Sequence, residues 1–149
     1  LILKGIPVPQ GNITITRHDE HLQWLLQRFV DKVPGVTQAV LASRDGIKLV
    51  WVGMDVDAAD ELSAALSGLR ALAFPLASVN EDMHQVVVQF PSVTVYVMRT
   101  SDRGADYVSE VLAVRAGPAA DPRVVGHEMA ALITGVEEHL TTPVRDRAQ

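Results

Sequence analysis

From Asp19 to Lys32 the apolar residues Leu22, Leu25, Leu26, Phe29 and Val30 recur at steps of three and four. That period predicts an amphipathic helix with Asp19 as its N-cap and Pro34-Gly35 as its stop. The pattern then changes. Val36 to Ser43 and Ile47 to Val52 read as strands around the polar knot Ser43-Arg44-Asp45-Gly46, where Asp45 and Gly46 form the hairpin turn and supply the positive φ that it demands. A second helix opens at Asp57, carries Asp60 and Glu61 in its first turn and runs toward Phe74, where Pro75 kinks or ends it. His84 to Phe90 and Val93 to Arg99 are two further strands flanking Pro91-Ser92, and Tyr107 to Arg115 is a fifth after the polar loop TSDRGAD. Asp121-Pro122 caps a last helix through about Leu140, with Val124, Val125, Met129, Leu132, Ile133 and Val136 at helical spacing. The order is α-β-β-α-β-β-β-α. Short connections favour antiparallel neighbours, so the expectation is an α+β fold with five strands in one sheet and helices covering it.

The second helix has two apolar faces. At 100° per residue Leu62, Leu66, Leu69, Ala73 and Leu76 share one stripe that should face the sheet. Ala64, Gly68 and Ala71 lie opposite, where a surface helix carries Lys or Glu, and between Leu62 and Asn80 only Arg70 is charged. Small residues there are ordinary helix formers in the simplest view, but a mid-helix glycine costs roughly 0.5 to 1 kcal/mol relative to alanine. Close approach of a second backbone would offset that cost, so Ala64, Gly68 and Ala71 are expected to pack on a partner helix.

Composition narrows the class. With 149 residues, 48% hydrophobic and 21% charged, the chain has the balance of one ordinary globular domain. The division expected is an arm at 1–18, the domain at 19–141 and a tail at 142–149. In the arm, Ile13 and Ile15 alternate with Thr14 and Thr16, which suits either a short edge strand or a tether. The net charge of −5 and the scattered bases argue against nucleic acid. The absence of cysteine fits a reducing cytoplasm, and no uncharged run is long enough for a membrane-spanning helix. The first residues show no signal-peptide pattern.

Little in the chain points to covalent chemistry. No Gly-rich phosphate loop, G-x-S-x-G or H-E-x-x-H occurs. His18 and His21 straddle a helix start without further ligands nearby, and His127 has no positioned partner, so neither a metal nor a general base is expected. Trp24 and Trp51 read as packing rather than as ligand-stacking residues. No catalytic residue and no cofactor are expected.

The segments LQWLLQRFVDKVPGVTQAVLASRDGIKLV, DAADELSAALSGLRALA, HQVVVQFPSVTVYVM and VVGHEMAALI together resemble the Roadblock/dynein light chain family, in particular its actinobacterial conservon branch. The likeness spans about Leu22 to Leu140. It implies a five-stranded antiparallel sheet with the second helix on one face and the other two on the opposite face. It further implies a homodimer in which second helices pack together and third strands join edge to edge, placing His84, Val86, Val88 and Phe90 in the interface. Members of that family act as non-catalytic subunits that bind or regulate Ras-like small GTPases, and the conservon branch is encoded beside such a GTPase and a sensor-kinase-like protein. Trp51 and the charged RTSDRGADYVSE connection depart from the usual pattern, and the arm lies outside the likeness. A dimeric scaffold for a small GTPase is therefore the leading expectation. The alternatives are a GTPase-activating protein offering Arg44 or Arg103 in trans, which would stabilise charge on the transferred phosphoryl group, and a sensory domain holding a small apolar ligand.

Overall fold

A computed structural model describes residues 17–101 and 109–141. The elements are helix α1 (Arg17–Lys32), strands β1 (Val36–Ala42) and β2 (Lys48–Val52), helix α2 (Val56–Ala73), strands β3 (Gln85–Gln89), β4 (Thr94–Arg99) and β5 (Val111–Ala116), and helix α3 (Pro122–Thr141). A short 3₁₀ helix, Phe74–Ala77, follows α2 directly. All five strands form one antiparallel sheet in the order β2-β1-β5-β4-β3. This is the expected α+β order. Residues 1–16 of the expected arm at 1–18, Arg103, the start of the expected fifth strand and the expected tail at 142–149 lie outside the described residues.

The alternation of side chains across the pleat divides the sheet into two cores. Ala39, Leu41, Tyr96, Met98, Leu112 and Val114 point to one face and pack with Leu22, Leu26 and Phe29 of α1 and with Val125, Met129 and Val136 of α3. Val40, Ala42, Val97, Val111 and Ala113 point to the other and meet Leu62 and Leu66 of α2. The central strands β1 and β5 are thus buried on both faces, which explains why they read as nearly continuous apolar runs.

Several boundaries move for identifiable reasons. Helix α1 spans Arg17–Lys32, so Asp19 lies inside it and does not precede it as a cap. Helix α2 is capped by Asp55, not opened at Asp57: Asp55 has extended φ and ψ and its carboxylate accepts the Ala58 N–H at 2.8 Å. The fifth strand is regular from Val111, and backbone contact continues one residue earlier, where the Thr100 N–H donates to the Glu110 carbonyl at 2.9 Å. The Glu110 N–H donates to Thr100 Oγ1 at 2.9 Å, and Ser109 turns its hydroxyl toward α2. Leu76 departs furthest from expectation. Pro75 redirects the chain into the 3₁₀ turn, the extrapolated helical stripe ends, and Leu76 stands 83% exposed. Val124, also expected in the core, is 40% exposed.

Candidate functional site

The β1–β2 hairpin closes as its sequence demands. Ser43 N–H donates to the Ile47 carbonyl at 2.8 Å, Gly46 N–H to the Ser43 carbonyl at 3.0 Å, and Gly46 has φ +85°. The turn rests on α2. A β-carbon at Gly46 would lie 3.0 Å from Ser67 Cβ, 3.1 Å from the Ser63 carbonyl oxygen and 3.3 Å from Ala64 Cα. Asp45 and Arg44 are exposed at the tip. The hairpin therefore sets the position of the helix across the sheet as well as extending the platform.

Because α2 lies over β1 and β2, the β3–β4 half of that face is incompletely covered. An apolar groove of about 400 Å³ runs there, walled by Leu62, Leu66, Leu69 and Leu72 on one side and by Val88, Phe90 and Val95 on the other. Leu72 is 73% exposed and Phe90 51%. Among the described residues β3 forms the sheet edge and pairs with β4 alone, through Val86 with Val97 and Val88 with Val95. Its Gln85-Val86-Val87-Val88-Gln89 run carries no charge to blunt that edge.

The seven residues expected in a partner contact fall into two neighbouring sets. Ala64, Gly68 and Ala71 are exposed on α2, and among the described residues nothing beyond the helix's own backbone lies within 4 Å of where a Gly68 β-carbon would stand. His84 is exposed just ahead of β3, Val86 and Val88 are half-buried within it, and Phe90 is exposed just beyond it. Among the described residues no contact accounts for a glycine at position 68. Leu72 and Val95 extend this surface, and sequence reasoning missed them because their placement depends on how far α2 covers the sheet.

Sequence reasoning also missed the charged site at the C-terminal end of α2. Arg70 follows Leu62 and Leu66 at four-residue steps and so points inward, where it is 6% exposed. Its Nε donates to Asp82 Oδ1 at 3.0 Å, its Nη2 donates to Asp82 Oδ2, and Nη2 also reaches Ser109 Oγ at 2.9 Å. Partial burial would raise the Asp82 pKa. The hydrogen bonds and charge of Arg70, helped by Arg99 and the Met83 N–H, outweigh that effect and hold it below its ordinary value. The available signal was a lone charge on the buried stripe, which requires a partner.

Other candidates are dispersed. His21 stacks on Trp24 with ring centroids 5.7 Å apart and lies 4.5 Å from the His139 ring, while Arg28 sits 5.3 Å over Trp24. Trp24 is half exposed rather than packed in the core. Trp51 is partly buried against the α2-side core, with Lys48 Nζ 5.3 Å from its ring. Among the described residues no group of three or more His, Asp or Glu could hold a metal, and no helix is long and apolar enough to cross a membrane.

Fold and site together define a single-sheet α+β domain with helices on both faces, an open apolar edge and a groove beside it. The sequence profile of the Roadblock/LC7 domain matches residues 22–105, and the chain belongs to that family. A crystal structure of a Roadblock/LC7 domain from Streptomyces avermitilis is 39% identical, with 80% of this chain and 98% of that chain covered and a TM-score of 0.70. A second from the same organism is 25% identical over 76% of this chain and 96% of the other, with a TM-score of 0.57. The gliding protein MglB from Thermus thermophilus shares the fold at 16% identity, covering 83% of this chain and 91% of its own, with a TM-score of 0.72. Among curated proteins none matches.

Proposed function

We propose that the chain is a non-catalytic, homodimeric scaffold or regulatory subunit that binds a Ras-like small GTPase in the cytoplasm, within a signalling complex that includes a sensor-kinase-like protein. One observation carries the reading: among the described residues the uncharged β3 strand is an open sheet edge with an apolar groove beside it, and Gly68 is exposed on α2. Joining two β3 edges would complete the backbone pairing, and the facing helix of a second copy is suited to the groove. The family likeness supplies the GTPase. A structure of MglB, alike in fold, is described as a tetrameric arrangement, so assembly beyond the dimer is open to this fold.

The test is co-purification of the full chain with a small GTPase loaded with GDP or with GTP, combined with single-turnover hydrolysis. A stable complex with no acceleration of hydrolysis fits a scaffold. Acceleration lost on Arg44→Ala would replace this reading with that of an activating protein, and failure to bind in either nucleotide state would remove the GTPase from it.

A further inference from the structure

On the side of the sheet away from α2, three contacts fix how α1 lies beside α3. Lys32 Nζ meets Glu128 Oε2 at 3.0 Å, a β-carbon at Gly135 would stand 3.9 Å from Leu25 Cδ2, and the His21 and His139 rings are 4.5 Å apart. The helices therefore run antiparallel, with His21, Leu25 and Lys32 level with His139, Gly135 and Glu128. Trp24, next to Leu25 in the chain, stands at the level of Gly135. It is 51% exposed, with Arg28 over its ring. A hollow of about 340 Å³ lies at Gly135 and Leu25, with Glu138 and His139 around it. Further along the same seam a smaller one, of about 150 Å³, separates Arg28 and Lys32 of α1 from Glu128 and Ala131 of α3. The two walls of the seam thus differ in sign, bases on α1 and acids on α3. Asp31 lies further round α1, where it accepts from Gln27 at 2.9 Å.

We infer that a second copy of the chain docks on this face, α1 of each copy lying along α3 of the other. An aromatic knob, a hollow and two walls of opposite charge on one surface are self-complementary, as a two-fold contact requires. A two-fold axis parallel to the helices and between them keeps each residue at its own level while it exchanges α1 for α3. Trp24 then falls at the hollow beside the partner's Gly135, and Lys32 comes level with the partner's Glu128, so that two ion pairs meet as a ring of alternating charge. Small residues at 131 and 135 leave room for the ring, and tryptophan and arginine are the residue types that most often anchor such contacts. Helix α1 has 16 residues, about 24 Å of length, and two helices about 10 Å apart give a footprint of roughly 500 Å² per copy. A total of about 1,000 Å² is at the low end for a specific contact, so association here is weak and forms at high protein concentration. It lies on the opposite face of the sheet from α2 and depends neither on the β3 contact nor on the GTPase.

Sedimentation velocity of the full chain is run from low to high concentration, for wild type and for Gly68→Glu, in which the α2 face carries a charge. A step that at least doubles the low-concentration mass is expected in both. Trp24→Ala removes an exposed ring, so it should keep the wild-type circular dichroism and weaken the step about thirtyfold, as for loss of a central aromatic anchor. Lys32→Glu should weaken the step as well. Combining it with Glu128→Lys should restore self-association, because both walls then change sign together, and this double variant should pair poorly with wild type. The absence of a mass-doubling step up to the solubility limit overturns the inference and leaves the face to a different protein. A step that Trp24→Ala and Lys32→Glu leave unchanged, or that the double variant fails to restore, overturns it too.

Discussion

Gly46 and Ser67 approach so closely that a β-carbon on the turn residue would stand 3.0 Å from Ser67 Cβ. The left-handed turn and the seat of α2 are therefore one constraint. Gly46 satisfies both because it tolerates positive φ and because it lacks the atom that would meet the helix.

Gly46→Val should accordingly be strongly destabilising, by about 2 to 4 kcal/mol, through backbone strain combined with overpacking. Gly46→Ala should fall between valine and wild type. Chemical denaturation gives the ranking. An unchanged midpoint for the valine variant would show that the hairpin and helix can separate without cost.

Asp82 and Arg70 should make stability depend on acid. The folded Asp82 pKa lies below the ordinary 3.8, so its contribution is present in full above that value. It is lost as pH falls through the lowered folded pKa, because the unfolded chain binds the proton first. Asp82→Asn should cost about 2 to 4 kcal/mol at neutral pH by leaving Arg70 buried and uncompensated, somewhat less than a fully enclosed pair because the Asp82 side chain stays 21% exposed. The variant should also show a shallower loss of stability below pH 3.8. Parallel curves for the two proteins would mean that the pair is energetically idle.

The strands and helices were legible because each has a clean period, and the two-faced nature of α2 was legible in Ala64, Gly68 and Ala71. What escaped follows from geometry beyond the period. Leu76 shares the angular stripe of Leu62 and Leu66 only while the helix continues, and Pro75 ends it. Arg70 lies on the buried stripe in plain view, yet its partners Asp82 and Ser109 come from a loop and a strand approach that no local pattern connects to it. The apolar groove depends on α2 lying over β1 and β2 rather than over the sheet centre, a placement set by the Gly46 contact and visible only in three dimensions.

The purified protein alone should neither bind nor hydrolyse GTP. The G-x-x-x-x-G-K-[ST] loop and lysine that hold phosphates in the GTPase class do not occur in the chain. Binding of a fluorescent GTP analogue and phosphate release are the measurements. Turnover that follows the protein through gel filtration would contradict the expectation.

The two faces of α2 should respond differently to substitution. Leu66 is 3% exposed in the core beneath the helix, so Leu66→Ala should lower folding stability by roughly 2 to 5 kcal/mol through lost burial and a cavity. Beyond the backbone of its own helix, no described residue comes within 4 Å of a β-carbon built at Gly68, so the first atom of a glutamate side chain fits there. Its better helix propensity should leave the monomer as stable as before or slightly more so. In a dimer closed across this face the same glutamate brings a side chain and a charge into a tight, desolvated contact. For an interface of about 1,600 Å² that central disruption is enough to shift the equilibrium to monomer. Sedimentation velocity of wild type and Gly68→Glu at equal, low concentration separates the cases, dilution limiting aggregation through the freed β3 edge. The expected result is a wild-type dimer and a folded mutant monomer. A wild-type monomer, or a mutant dimer as tight as wild type, would show that this face of α2 is not where two copies meet.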